Sequence, residues 1–355
     1  MAHQVSGIPK SSMQSLWGFI AEKTDSELEG DPANLTDDLL ASLDGSNKDK
    51  VKAFIETCGG LASLIDFNIS QAQLLCPGTW QSNKAIESCI ESGLEVEKFD
   101  CSEGRFGDLL YGIIYYPKDF NKLCNSSCAL YHNPNGITIA QYFVNGQLTG
   151  TPAEIVKLFN CPLVMYDYRG TGLNSSNTSR ISTEDEIDWS MLVQDGKTIL
   201  RYALEKFSTV NVIGSALGGG VATVSLERYL TANPTDRQKV ALINHDSFST
   251  SAAVAFPRYQ AIANCVGWAL NSYLDAKTSM KELIKHEVAI IVLCHNKDPI
   301  IPEKARMADL IGTQDISKNT RVFRSTQYGH GNFSSDMVSA VCRIADVAGK
   351  PFSIL

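Results

Sequence analysis

The sequence predicts an α/β protein with a mostly parallel central sheet and helices on both faces. Three observations carry that prediction. From Leu94 onward, short apolar runs alternate with helical stretches, as strand–helix–strand units require. The runs lack polar alternation, so both faces of the sheet are covered. Each unusual polar cluster falls just after an apolar run, at the carboxyl end of a strand, where open parallel sheets gather ligands.

The elements follow in order. Residues 1–92 carry helical spacing in "SSMQSLWGFIAEK", "DPANLTDDLLASLDG", "NKDKVKAFIETCGGLASLI" and "WQSNKAIESCIESG". Thr36 and Asp31 suit N-caps, and Gly45, Gly59 and Gly93 suit helix ends, so 1–92 is expected to be a helical N-terminal module. Residues 93–355 then form the α/β domain. "LEVEKFDC" and "DLLYGIIYYP" are strands joined through the glycines of "SEGRFG". Further strands are expected at "CALYHN", "CPLVMYDY", "VNVIG", "VALINHD", "AIIVLCHN" and "TRVFRS". Helices are expected at "TPAEIVKLF", "DWSMLVQDGKTILRYALEKF" and "GGVATVSLERYL". The stretch 250–285 exceeds a plain crossover and is expected to insert as a helical cap, with Phe256, Tyr259, Trp268 and Tyr273 mostly serving a core.

Composition removes several function classes. A net charge of -8 leaves no cationic excess to neutralise phosphates, which argues against nucleic acid. No window of about 18 apolar residues suggests a transmembrane segment, and the N-terminus lacks the pattern of a cleavable signal peptide. The ten cysteines suit a reducing compartment: Cys161 and Cys294 lie within apolar runs as buried thiols, and the Cys124–Cys128 pair has no matching second pair for zinc. No cofactor is implied, because phosphate-loop, zincin and dinucleotide motifs are all missing.

The chemistry centres on "NVIGSALGGGVA". In a G-x-S-x-G elbow the central residue is strained, and its neighbours two away must be small. Gly214 and Gly218 meet that demand around position 216, which carries Ala216 where a nucleophilic serine is expected. Ser215 is the rival, but its two-away neighbours would be Ile213 and Leu217. Downstream, Asp298 in "HNKDPIIP" and His330 in "YGHGNF" supply an acid and a base in the chain order of this elbow class. Pro299 and Pro302 would stiffen the acid's loop, and Gly329 and Gly331 would leave the imidazole unobstructed. Asp246 is the rival acid, whereas His132, His245 and His295 are taken as rim or structural. An oxyanion hole would use the N–H of Leu217 and one from Asn135 or Gly136.

Together "YHNPNG", "YDYRGTGLNSS", "VIGSALGGGVA", "HNKDPIIP" and "YGHGNF" resemble the α/β-hydrolase superfamily over about residues 94–355. "DYRGTGLNS" is similar to an element that these enzymes carry after their fourth strand. "NPNG", "DYRGTG" and "HDSFSTSAAVA" look most like a branch found in chlamydial proteins and the Legionella effector SidB. The resemblance implies a serine hydrolase that cleaves a carboxylic ester or thioester, of a lipid or an acylated protein, through an acyl-enzyme. The narrower branch implies a bacterial virulence effector with a host protein or membrane lipid target. Its setting would be cytoplasmic, or a host cell entered without a cleavable signal peptide. Ala216 departs from the pattern. It fits an inactive mutant made by replacing the serine, with a natural pseudoenzyme serving protein interaction as the alternative.

Overall fold

The computed structural model describes residues 40–41, 48–57, 96–101, 109–118, 120, 127–169, 171–174, 189–251, 254, 274–311 and 318–348. The chain divides into two compact units, Met1–Cys76 with Thr250–Tyr273, and Pro77–Ser249 with Leu274–Leu355. In the first, helix α1 spans Lys48–Thr57, within the stretch where helical spacing was expected. The other expected N-terminal helices, with Thr36 and Asp31, lie outside the described residues, as do 255–273 of the expected cap.

The second unit is built on a sheet of eight strands. These are β1 (Val96–Cys101), β2 (Leu110–Tyr115), β3 (Ser127–His132), β6 (Leu163–Tyr166), β7 (Thr209–Ser215), β8 (Val240–His245), β9 (Ala289–Lys297) and β10 (Thr320–Tyr328). A separate hairpin, β4 (Phe143–Val144) and β5 (Gln147–Leu148), lies in the connection after β3. The main sheet runs β1-β2-β6-β3-β7-β8-β9-β10. β2 is antiparallel to both its neighbours, and every pairing from β6 to β10 is parallel. A parallel sheet with this strand order and one reversed strand near its edge is the α/β-hydrolase fold.

Helices cover both faces, as the unalternating apolar strands require. On one face Ile155, Leu158 and Phe159 of α2 (Gly150–Phe159) join Tyr131, Ile213, Ile243, Ile291 and Leu293 of the sheet. Met337 and Val341 of α6 (Ser335–Ala348) complete that cluster. On the other face, α3 (Trp189–Lys206) and α4 (Leu217–Ala232) pack on β7 and on each other. α4 also packs against α5 (Ala276–Lys285). Thus 276–285, assigned from the sequence to the cap, is the helix crossing from β8 to β9, capped by the Asp275 carboxylate, which accepts the Thr278 N–H at 2.9 Å. Cys161 and Cys294 are buried free thiols. Among the described residues, no helix is long and apolar enough to cross a membrane.

Candidate active site

Position 216 sits between the end of β7 and the start of α4, with φ 50° and ψ -115°. Such angles in a non-glycine residue cost about 1–3 kcal/mol and persist only where the surroundings dictate them. Here they do. The Ala216 N–H donates to the His245 carbonyl at 2.9 Å, and the Ala216 carbonyl accepts the Gly219 N–H at 3.1 Å. A Cβ on Gly214 would lie 2.2 Å from the Gly218 carbonyl oxygen. One on Gly218 would lie 2.1 Å from the His132 carbonyl oxygen. Both glycines therefore allow backbone to meet backbone around residue 216. Ser215, the rival, is fully buried at the strand end, its hydroxyl 3.0 Å from His245 Nδ1.

Asp298 follows β9 and His330 follows β10, on neighbouring parallel strands, so both lie at the carboxyl end of the sheet, as Ala216 does after β7. His330 Nδ1 lies 2.8 Å from Asp298 Oδ2. The carboxylate is 1% exposed and the imidazole 18%, which leaves the carboxylate dry while the imidazole stays accessible. The other carboxylate oxygen accepts the N–H groups of Ile300 and Ile301 at 2.7 and 2.9 Å. Arg306 tightens the same loop by donating to the carbonyls of Ile301 and Asn296. Gly329 has a reason that the sequence did not suggest: a Cβ there would lie 2.9 Å from His295 Nε2. Gly331 adopts φ +72°.

Asp246, the rival acid, does not share a hydrogen bond with His330. It follows β8 with φ 44°, and its Oδ1 accepts the His295 N–H at 2.8 Å. Its Oδ2 lies 2.7 Å from His295 Nδ1 and 3.1 Å from His245 Nε2, and accepts the Gly331 N–H at 2.8 Å. Burial works to raise the Asp246 pKa, but the two histidines outweigh it and hold the carboxyl well below its ordinary range. Burial opposes the charged form of His295 as well, and Asp246 overcomes it to raise that imidazole's pKa. None of the three secondary histidines lies on the rim, because His132, His245 and His295 are all buried. His132 bonds the Tyr166 hydroxyl through Nδ1 at 2.9 Å, and burial pulls its pKa down to about 3, so it is neutral.

Donor atoms of His245, Asp246 and His295 lie within 4.8 Å of one another, as do those of Asp246, Asp298 and His330. The 2.7 Å between His295 and Asp246 is a hydrogen-bond distance, shorter than the roughly 3.3 Å between two ligands on a tetrahedral zinc with bonds of about 2.0 Å. Leu217 opens α4, so its N–H has no intrahelical acceptor and is available for an oxyanion. Asn135 and Gly136 form an exposed turn, Gly136 at φ +77°. The backbone against the elbow belongs instead to His132 and Asn133, whose carbonyls crowd Gly218. Behind that loop, Asp167 accepts the N–H groups of Ile139 and Leu173.

No family model and no curated protein sequence matches the chain. Solved structures do. An esterase of Pyrococcus furiosus is 10% identical with a TM-score of 0.48, the match covering 76% of this chain and 94% of that one. Acetyl xylan esterase 1 from Thermoanaerobacterium sp. is 14% identical, covering 75% and 92%, with a TM-score of 0.44. The peroxisomal alpha-beta-hydrolase Lpx1 from Saccharomyces cerevisiae is 11% identical, covering 72% and 87%, with a TM-score of 0.42. Likeness at this level assigns no residue a role, and the chemistry of the site rests on its own geometry.

Proposed function

We propose that this chain carries the site of a serine hydrolase acting on carboxylic esters or thioesters, with alanine in the nucleophile's place. The observation that carries the proposal is the 2.8 Å contact between His330 Nδ1 and Asp298 Oδ2 at the same carboxyl end of the parallel strands as the strained elbow. A carboxylate accepting from Nδ1–H leaves the opposite ring nitrogen to take a proton from a hydroxyl. With serine at 216, its Oγ would attack an acyl carbonyl while His330 accepts the proton. The Leu217 N–H would meet the developing oxyanion, and His330 would return the proton to the leaving group. Water activated by His330 would then release the acid from the acyl-enzyme. The SidB-like resemblance extends the proposal to an effector acting on a host lipid or acylated protein.

Ala216→Ser tests this directly. In a triad protease, removing the serine costs about six decades of kcat. Restoring it should therefore produce hydrolysis of p-nitrophenyl esters and labelling by a fluorophosphonate, both lost again in the His330→Ala double variant. A folded Ala216→Ser protein that neither hydrolyses nor labels would refute the hydrolase reading. The alanine itself favours a second reading, a protein-interaction module on a hydrolase scaffold. That reading expects a pulldown partner whose capture by the unaltered chain survives His330→Ala.

A further inference from the structure

Asp246 takes no part in the chemistry proposed above, yet its carboxylate is buried and held from three residues. A carboxylate offers about four acceptor positions. In Asp246, Oδ1 accepts the His295 N–H, while Oδ2 bonds His295 Nδ1 and the Gly331 N–H and has His245 Nε2 at ion-pair distance, 3.1 Å. Three of these neighbours belong to the ends of β8 and β9, which the sheet holds rigidly. The fourth belongs to the residue bonded directly to His330.

The grip on that loop is repeated on either side. The Gly331 carbonyl accepts the Thr151 hydroxyl at 2.8 Å, so both backbone polar groups of this residue are held, one in each of the peptide units that flank its Cα. Two residues on, the Phe333 ring stacks on His245 with centroids 4.6 Å apart and planes 6° from parallel. His245 also reaches the elbow, since its carbonyl accepts the Ala216 N–H and its Nδ1 contacts the Ser215 hydroxyl. Residues 245 and 246 therefore touch both the nucleophile position and the loop of the base. The left-handed φ of Asp246 fits that double demand, because a non-glycine residue stays there only when its surroundings over-determine it.

We infer that Asp246 is a positioning residue for His330: anchored between His245 and His295, its carboxylate holds the Gly331 N–H and so keeps the imidazole seated on Asp298. The inference rests on the assignment of His330 as the base. It differs from a second-acid role, in which Asp246 would substitute for Asp298.

Two measurements test it. The first uses the unaltered chain and needs no activity. The low-field proton resonance of His330 Nδ1–H, assigned by its disappearance in His330→Gln, should be present. It should be lost or broadened in Asp246→Asn, whose amide must turn a donor toward the N–H groups that the carboxylate accepts. The second uses Ala216→Ser, with active sites titrated by fluorophosphonate. Asp246→Asn should lower kcat per titrated site up to about 100-fold, the cost of a misplaced catalytic group, with KM little changed. Thr151→Val, which loosens the same residue from its carbonyl side without touching a charge, should give a smaller loss of the same kind and serves if Asp246→Asn does not fold. An unchanged resonance and unchanged kcat per site in a folded variant would overturn the inference. Activity in Asp298→Asn that disappears in Asp246→Asn/Asp298→Asn would overturn it in favour of the second-acid role. If Ala216→Ser is inactive, the hydrolase reading fails on its own, and the resonance still decides the positioning of His330.

Discussion

Gly218→Ala puts the elbow geometry to a quantitative test. The added Cβ would meet the His132 carbonyl oxygen at 2.1 Å, the His132 carbonyl carbon at 2.6 Å and the Asn133 carbonyl oxygen at 2.6 Å. Ordinary contact begins near 3.4 Å, so the worst overlap exceeds 1 Å. The obstacles are backbone atoms, and His132 is the last residue of β3, paired with Gly214 of β7. No rotamer change can relieve the clash, and α4 or the end of β3 must move. Overpacking costs about 1–3 kcal/mol where side chains can give way, so a collision confined to backbone belongs at or above about 3 kcal/mol. At about 2–4 °C per kcal/mol for a domain of 150–250 residues, the melting temperature should fall by roughly 6–12 °C or more. Gly136→Ala is the control: at φ +77° with nothing within 4 Å, it incurs only the left-handed penalty of about 1–2 kcal/mol. Thermal melts of both variants beside the parent decide the matter. If Gly218→Ala melts within 2 °C of Gly136→Ala, the close approach around residue 216 is wrong, and the frame that places the nucleophile there goes with it.

Two further predictions concern the loop after β6. Arg169 and Asp195 form a buried ion pair, the guanidinium Nε donating to Asp195 Oδ2 at 2.8 Å. Arg169→Met should cost about 3–5 kcal/mol in urea unfolding, because it strips a buried carboxylate of its charge partner; a loss under 1 kcal/mol would contradict the pairing. Burial pushes the Asp167 carboxyl up to about 6 despite the two N–H groups that it accepts. Its folded pKa lies above its unfolded one, so the folded state holds the proton more tightly, and stability from this group falls as pH rises from about 4 through 6. Two pKa units correspond to about 3 kcal/mol. The stability of the parent relative to Asp167→Asn should drop by about that amount between pH 4 and 7, and an equal difference at both pH values would refute the shift.

The sequence made the sheet legible because buried parallel strands are continuous apolar runs, and β3, β7 and β8 begin or end within one or two residues of the stretches that announced them. The elbow was legible for a different reason: two glycines bracketing one position leave few explanations other than a close backbone approach. The β4–β5 hairpin was missed because strands of two residues carry no periodicity. Its turn nonetheless displays the signal, Asn145 and Gly146 at φ 51° and 71°, the Asn-Gly pairing of a tight hairpin. Helix α6 was also overlooked, although Met337 and Val341 stand four apart on its buried side. What no local pattern could supply was the role of Asp246. Its place after a strand made it a rival acid, and only the tertiary distances show its carboxylate on the Gly331 N–H and that of Asp298 on the imidazole. The purpose of Gly329 was hidden in the same way, since His295, whose ring it accommodates, lies 34 residues earlier on another strand.

The elbow remains strained although its residue can do no chemistry, and that bears on how the alanine should be understood. None of the contacts that impose φ 50° on residue 216 involves its side chain: they are backbone hydrogen bonds to His245 and Gly219 and the backbone approaches at Gly214 and Gly218. Serine and alanine would therefore meet the same constraint at nearly the same conformational cost. Stability is thus not what decides between them, and the fold should neither require the hydroxyl nor reject it. The pair formed by Asp298 and His330 is likewise held without the side chain of residue 216, through the Ile300 and Ile301 N–H groups on Asp298 and the Gly331 N–H on Asp246. The Asp298–His330 contact takes nothing from residue 216, so exchanging the side chain there should leave the architecture of the site in place.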